Sequence, residues 1–315
     1  MIDLNVAALR YPSVLVIGGT GFIGGHLVAQ LAATGRRVIV PTRNGSRARR
    51  FSVLPTVEVV QANVNDSAAL ERLVRKVDAV INLVGVLHSG RGAPGSSYGP
   101  AFAKAHVELP KKIVAACAGS HVHRYLHMSA LGASAKGTSM YLRSKADGEA
   151  IALRSAMAVT VFRPSVVFGS DDRFMNMFAS LQKYFPVMPI GGADARFQPV
   201  YVGDVAKAFM HALENPSSFG KIYELAGPKT YTLRQLVAMA GELSGHPRPV
   251  ISLPPALARL QALVLEWMPG GPLMSRDNLD SMQTDNVMSG SIAPELGIAP
   301  TALEALAPQY LAARG

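Results

Sequence analysis

Seven residues near the start of the chain, Gly18-Gly19-Thr20-Gly21-Phe22-Ile23-Gly24, constrain its folding more than any other segment. They follow a short apolar run, Val14–Ile17, and open a helical pattern, Phe22–Thr34. The glycines satisfy G-x-x-G-x-x-G through Gly18, Gly21 and Gly24, and G-x-G-x-x-G from Gly19. Glycine permits a tight strand-to-helix turn and lets backbone N–H groups approach an anion closely, while the helix N-terminus adds partial positive charge. In this setting the loop predicts a dinucleotide pyrophosphate site in a βαβ unit. Its contacts would come from Gly18, Thr20, Gly21, Phe22, Ile23 and Gly24.

The chain beyond the loop has the matching rhythm. Short apolar runs at Val38–Val40, Val57–Val60, Ala79–Leu83, Tyr125–Met128 and Val159–Phe162 read as strands. Helical patterns at Ser67–Val74, Phe102–Ala118 and Ser139–Ser155 separate them. Strands without polar alternation, spaced by helices, are buried on both faces. The expected fold is therefore α/β, a doubly wound parallel Rossmann sheet. Proline then becomes frequent and the pattern turns helical at Leu233–Leu243, Ala256–Met268, Arg276–Met282 and Ala302–Ala313. This predicts a nucleotide-binding domain over residues 1–169, with 197–228 returning to it through a strand at Ile222–Leu225. Residues 170–196 and 229–315 would form a smaller, mainly helical lobe for a substrate or partner.

Charge narrows the choice of cofactor. The 315 residues carry a formal charge of +10, and no acid occurs from Leu4 to Val57. A site for the unphosphorylated dinucleotide would place Asp or Glu about 20 residues beyond the glycine loop. Nineteen residues past Gly24 stands Arg43, preceded by Thr42. A guanidinium binds a 2′-phosphate through several N–H donors, whereas a carboxylate repels it. NADP(H) is thus favoured at Thr42 and Arg43, with NAD(H) the alternative. One cysteine excludes a disulfide framework, and no His, Cys or acid spacing makes a metal site. A single Trp, 7 % aromatic content and no reader motif argue against a nucleic-acid partner. The opening residues lack a signal-peptide pattern, and Arg259, Gln261 and Glu266 interrupt the most apolar helical stretch. A cytoplasmic location is expected, with peripheral membrane contact through the apolar lobe as an addition.

Tyr141 and Lys145 lie four apart on one predicted helical face. An adjacent ammonium stabilises a phenolate, so Lys145 would lower the Tyr141 pKa and make the pair a proton-transfer device.

From about Ser13 to Gly227 the chain resembles the extended short-chain dehydrogenase/reductase superfamily. The resemblance rests on Gly18–Gly24, Asn63-Val64-Asn65-Asp66, Asn82-Leu83-Val84-Gly85, Ser129, Tyr141 with Lys145, and Arg163–Gly169. Within it, the chain is similar to the atypical subgroup named for the nucleotide-binding accessory subunit of mitochondrial respiratory complex I. Val40-Pro41-Thr42-Arg43, Ser144–Glu149, Phe197–Ala206 and Arg276–Asp280 carry that likeness. The resemblance implies that Asn63 and Val64 meet the adenine and that Leu83, Val84 and Gly85 line the ribose and pyrophosphate. It implies that Ser129 polarises a substrate carbonyl, Tyr141 moves the proton and Lys145 binds the nicotinamide ribose. Backbone groups of Pro164 and Val166 would position the carboxamide. His106 stands where extended members often carry the Asn of an Asn-Ser-Tyr-Lys tetrad.

The expected function is hydride transfer between NADP(H) and an apolar carbonyl, alcohol or quinone-like substrate. The substituted tetrad keeps two alternatives open: a non-catalytic NADPH-binding assembly or sensing protein with a protein partner, and an epimerase or dehydratase. His88, in a glycine-rich loop beside the expected nicotinamide position, is a candidate substrate contact.

Overall fold

A computed structural model describes residues 9–90, 92–93, 95–267 and 273–312. The predicted helix ends at Met268 and Ala313 lie outside the described residues. The first half lays down β1 (Ser13–Ile17), α1 (Phe22–Ala33), β2 (Arg37–Thr42), β3 (Val57–Gln61), α2 (Ser67–Val74) and β4 (Ala79–Asn82). After α3 (Pro100–Phe102), a π-helical turn (Ala103–Glu108) and α4 (Leu109–Ala118) come β5 (Arg124–Met128), α5 (Met140–Leu153) and β6 (Ala158–Pro164). These six strands and Lys221–Leu225 form one parallel seven-stranded sheet in the order β3-β2-β1-β4-β5-β6, then Lys221–Leu225. The order reverses direction between β1 and β4, and in such sheets the crevice beyond the strands' carboxyl ends at that point takes the ligand.

Both faces of the sheet are covered because successive side chains of each strand point opposite ways. Val14 and Val16 enter one apolar cluster, with Leu27, Leu31, Phe209 and Leu213. Leu15 and Ile17 enter the other, with Leu70, Val74, Ile113 and Ala152. A third cluster joins Met175, Phe178 and Met188 to Leu233, Leu236, Val237 and Leu311, forming the core of the helical lobe. That lobe contains α6 (Phe174–Tyr184), α8 (Leu233–Leu243) and α11 (Leu303–Leu311), while α7 (Val202–Glu214) packs on α1 against the sheet. Leu296, although late in the chain, packs into the first sheet cluster.

Part of the positive charge is structural. Arg124 is fully buried and donates to the Ala158, Ala212 and Leu213 carbonyls, the last two at the end of α7. Arg36 is buried as well and pairs with Glu214. Neither belongs to a surface patch.

The predicted continuous helix Phe102–Ala118 is instead interrupted by the π-helical turn. Pro110 is the physical reason: it has no N–H for the His106 carbonyl, and its ring crowds that carbonyl four residues back. Among the described residues no helix is long and apolar enough to cross a membrane. No group of three or more His, Cys, Asp or Glu gathers there as metal ligands.

Candidate active site

The glycine loop leaves β1 with Gly18 at φ +86°, a conformation that requires glycine. A Cβ on Gly24 would sit 2.4 Å from the Gly18 carbonyl oxygen and 2.6 Å from the Gly19 Cα. The loop is therefore wound tightly against the first turn of α1. Gly21 occupies the N-cap, so no side chain caps that helix. Its first N–H groups and partial positive charge suit a pyrophosphate. Thr20, Phe22 and Ile23 lie half-buried along the same turn, and Leu83 and Val84 pack across it from the end of β4.

The residues expected to meet a 2′-phosphate differ in how they are placed. Arg43 is exposed just beyond β2. The Thr42 hydroxyl is buried and engaged with Asn44, donating to its carbonyl at 3.0 Å and accepting from its N–H at 3.2 Å. Sequence reasoning did not single out Arg50. The short turn Gly45–Phe51 folds back over the glycine loop, so the Arg50 guanidinium donates to the Gly21 carbonyl at 2.7 Å. Arg50 was visible only as one of six arginines within fifteen residues, and the fold-back singles it out. Asn63 is exposed and Val64 half-buried at the end of β3, where an adenine would lie.

Helix α5 presents Tyr141 and Lys145 one turn apart. Ser139 caps it by accepting from the Leu142 N–H at 3.1 Å. Asp277, from α10 (Arg276–Ser281) in the lobe, accepts from the Met140 and Tyr141 N–H groups at 2.7 and 3.1 Å. Lys145 is 4 % exposed and donates to the Met128 carbonyl at 3.1 Å, beside Ser129. Its Nζ lies 3.3 Å from where a Cβ on Gly85 would stand, so β4, β5 and α5 converge at one point. The Ser129 hydroxyl is buried there without a hydrogen-bond partner.

Burial governs the charge states at this point. It pushes the Lys145 ammonium down to about 8 and the Tyr141 phenol up to about 12. The expected lowering of Tyr141 by Lys145 is thus reversed: desolvation of the phenolate wins, and the ammonium is aimed at the Met128 carbonyl. At neutral pH Tyr141 holds its proton.

His106 occupies the π-helical turn with its ring 5.6 Å from that of Tyr141. The Val86 N–H donates to its Nε2 at 3.1 Å, so Nδ1 carries the hydrogen and donates to the Ser144 hydroxyl at 2.8 Å. Ser144 in turn donates to the Tyr141 carbonyl at 2.8 Å. First burial, then the Lys145 and His127 charges, drive the His106 pKa down to about 2, so the ring stays neutral. His106 thereby links the loop after β4 to α5.

The backbone groups expected to position a carboxamide have partners within the protein. The Pro164 carbonyl accepts from Leu131 N–H at 3.0 Å, and the Val166 carbonyl accepts from Val200 N–H at 3.0 Å. The Val166 N–H donates to Asn286 Oδ1 at 2.9 Å. Proline has no N–H and the single Val166 N–H is taken, so only the two carbonyls, each with a second lone pair, are left to meet a carboxamide. The His88 Nδ1 is buried without a partner, in a loop that α10 touches where Asn278 donates to the Leu87 carbonyl at 3.5 Å.

A parallel sheet with a glycine loop at its switch point, and beside it the helix that carries Tyr141 and Lys145, defines a nucleotide-binding α/β protein of the extended dehydrogenase type. Residues 14–226 match the NAD dependent epimerase/dehydratase family, and the chain belongs to it. It is 31 % identical over 314 residues to the Arabidopsis thaliana mitochondrial protein named NADH dehydrogenase [ubiquinone] 1 alpha subcomplex subunit 9, covering 94 % of this chain and 76 % of that protein. A ceramide reductase of Caulobacter vibrioides is 27 % identical, covering 81 % of this chain and 78 % of the reductase. The UDP-glucuronic acid 4-epimerase of Bacillus cereus, solved with UDP-glucuronic acid and NAD, superposes with TM-score 0.67 at 17 % identity, covering 95 % and 98 % of the two chains. That last likeness is one of fold.

Proposed function

We propose that the protein is an NADP(H)-dependent oxidoreductase acting on the carbonyl or alcohol of an apolar, lipid-like or quinone-like substrate. The observation that carries this reading is the Ser129 hydroxyl, buried without a partner one residue past the Met128 carbonyl that Lys145 engages. A buried orphan hydroxyl costs about 1–3 kcal/mol, which a substrate oxygen would relieve. The glycine loop and the start of α1 fit a pyrophosphate, and Arg43 and Arg50 fit a 2′-phosphate at its border. When bound, the nicotinamide supplies or accepts the hydride.

The protein's own groups would manage the oxygen. Ser129 donates to it and Tyr141, still protonated at neutral pH, gives it a proton as the carbonyl becomes an alcohol; the reverse reaction returns the proton to Tyr141. Lys145 keeps positive charge near that oxygen and, when the phenolate forms, favours it. Neutral His106 holds the loop after β4 and the first turns of α5 in register. The likeness to a ceramide reductase supports an apolar substrate. In the helical lobe, Met175 and Phe178 fill the lobe's own core, and Leu257 and Leu260 face solvent.

A second reading has its own support. His106 in place of the tetrad Asn, spent as a structural acceptor, fits a protein that keeps the dinucleotide as a structural or sensing ligand within an assembly. The respiratory subunit relatives favour that reading, and the family name keeps epimerase or dehydratase chemistry as a third. One experiment separates the first two. NADPH and NADH binding is measured by calorimetry, and NADPH absorbance is then followed over long-chain ketones, aldehydes and quinones with wild type and Tyr141→Phe. Turnover that disappears in Tyr141→Phe supports the oxidoreductase; tight NADPH binding with no Tyr141-dependent turnover discards it. Arg43→Ala and Arg50→Ala should weaken NADPH about tenfold while sparing NADH, as loss of a charge-assisted contact predicts. Equal loss for both nucleotides would refute the 2′-phosphate assignment.

A further inference from the structure

The loop that leaves β4 is pinned on each side of His88. The Val86 N–H donates to His106 Nε2 at 3.1 Å, and the Leu87 carbonyl accepts from Asn278 at 3.5 Å. The Ser89 hydroxyl accepts from the Ala101 N–H of α3 at 3.0 Å. All three anchors belong to the surroundings of Tyr141. The rings of His106 and Phe102 lie 5.6 and 5.9 Å from the Tyr141 ring. Phe102 follows Ala101, and Asn278 follows Asp277, whose carboxylate accepts from the Tyr141 N–H. Its neighbours thus fix His88 close to Tyr141, while its own Nδ1 is buried without a partner.

The state of the ring narrows what can meet that nitrogen. Burial lowers the His88 pKa and outweighs the opposite pull of Glu266, so the imidazole is neutral at pH 7. Glu266 ends α9 (Pro255–Glu266) and is paired with Arg276 at 2.8 Å. In a neutral imidazole Nδ1 accepts in one tautomer and donates in the other. A hydroxyl does both, so it satisfies Nδ1 in either tautomer, whereas a carbonyl oxygen suits only one. We infer that His88 is a substrate-positioning residue whose Nδ1 takes a hydroxyl of the substrate, near the carbonyl that Ser129 and Tyr141 hold. The substrate class is then a hydroxylated, lipid-like ketone, or the matching diol in the reverse direction. The ketone takes hydride from NADPH and a proton from Tyr141 to become the diol, with NADP⁺ as the other product; the hydroxyl at His88 is unchanged. This inference rests on the oxidoreductase reading and refines it.

The test uses a twelve-carbon methyl ketone, its α-hydroxy derivative and its β-hydroxy derivative. NADPH absorbance gives kcat/KM with the wild-type protein. Calorimetry gives binding to Tyr141→Phe loaded with NADPH, where turnover does not intervene. One of the hydroxyketones should exceed the plain ketone about tenfold to a hundredfold in both readouts, as one hydrogen bond to a buried group predicts. His88→Leu, made in both backgrounds, should bring that ratio to about one, and His88→Asn, whose amide reaches the place of Nδ1, should restore part of it. A purely structural role for His88 would weaken all three ketones alike and leave the ratio unmoved. Turnover without a hydroxyl preference, or a preference that survives His88→Leu, overturns the His88 assignment and leaves the oxidoreductase reading standing. A His88-dependent preference in binding with no turnover keeps His88 as a ligand contact and discards the oxidoreductase. Neither binding nor turnover of any of the three overturns both.

Discussion

Replacing Gly148 by Ala sets two physical effects against each other at the helix that carries Tyr141 and Lys145. Helix propensity alone favours the change by about 1 kcal/mol, because glycine loses more backbone entropy than alanine. The local geometry opposes it. A Cβ there would lie 2.0 Å from the His106 carbonyl oxygen and 3.2 Å from its carbon, both backbone atoms of the π-helical turn. No flexible side chain can swing aside, so α5 or the turn must move by roughly 1 Å; overpacking of this kind costs about 1–3 kcal/mol and sometimes more. The net expectation is a loss of up to about 2 kcal/mol after the propensity gain. For a chain of this size that lowers the melting temperature by a few degrees, at about 2–4 °C per kcal/mol. A displacement of about 1 Å in α5 would also cost on the order of a hundredfold in any Tyr141-dependent turnover. Thermal unfolding by circular dichroism reads the first effect and NADPH oxidation the second. Gly25→Ala is the control: its Cβ would meet only the end of the Arg50 side chain, 2.5 Å from Cζ, which can shift. That variant should be as stable as wild type. A Gly148→Ala protein that melts above wild type, as the propensity gain alone predicts, would refute the close approach of α5 to the His106 carbonyl.

Other consequences follow from the same cluster. Ser129→Ala removes a buried hydroxyl without a partner, so stability should hold or rise by about 1 kcal/mol while carbonyl turnover falls; a clear drop in melting temperature would contradict the unpartnered state. Burial lowers Lys145 from 10.5 to about 8, so the folded protein releases that proton before the unfolded chain does. Its contribution to stability should therefore be least below pH 8, rise between about 8 and 10.5, and then level off, by about 3 kcal/mol at most. The melting-temperature difference between wild type and Lys145→Met, followed across that window, should climb; a flat difference would exclude a desolvated lysine. Asp277→Ala strips two acceptors from the start of α5 and should cost about 1–2 kcal/mol, partly restored in Asp277→Asn. Equal melting temperatures for all three proteins would show that the lobe does not cap that helix.

How much was legible in the sequence depended on whether a signal was local. The Ser67–Val74 and Leu233–Leu243 helices match their predicted spans, because apolar spacing along a short segment carries its own answer. The helix through Phe102–Ala118 is where reading apolar spacing alone failed: Pro110 was printed in the sequence, and its effect on the His106 carbonyl follows from proline chemistry. Arg50 and Asp277 carried no comparable mark. Each acts on a segment distant along the chain, Gly21 in one case and Tyr141 in the other, and no periodicity reveals such a meeting. Helix α9 reads from sequence as one more apolar lobe helix; which of its faces turns inward is decided by the contact of Ala258 with Gly191 and the bond from Gln261 to the Pro189 carbonyl.

By itself, then, the sequence determined the alternation of strands and helices, the glycine turn at Gly18–Gly24, the absence of acid near Arg43, and the one-turn pairing of Tyr141 with Lys145. All are set by neighbours within a few residues, where sterics, backbone hydrogen bonding and charge act directly. Tertiary structure decided the rest: that Tyr141 keeps its proton, that His106 is neutral, that Val166 is committed to Asn286, and that Ser129 is left without a partner. Those outcomes depend on desolvation and on hydrogen bonds between residues far apart in sequence, and both exist only once the chain has closed around them.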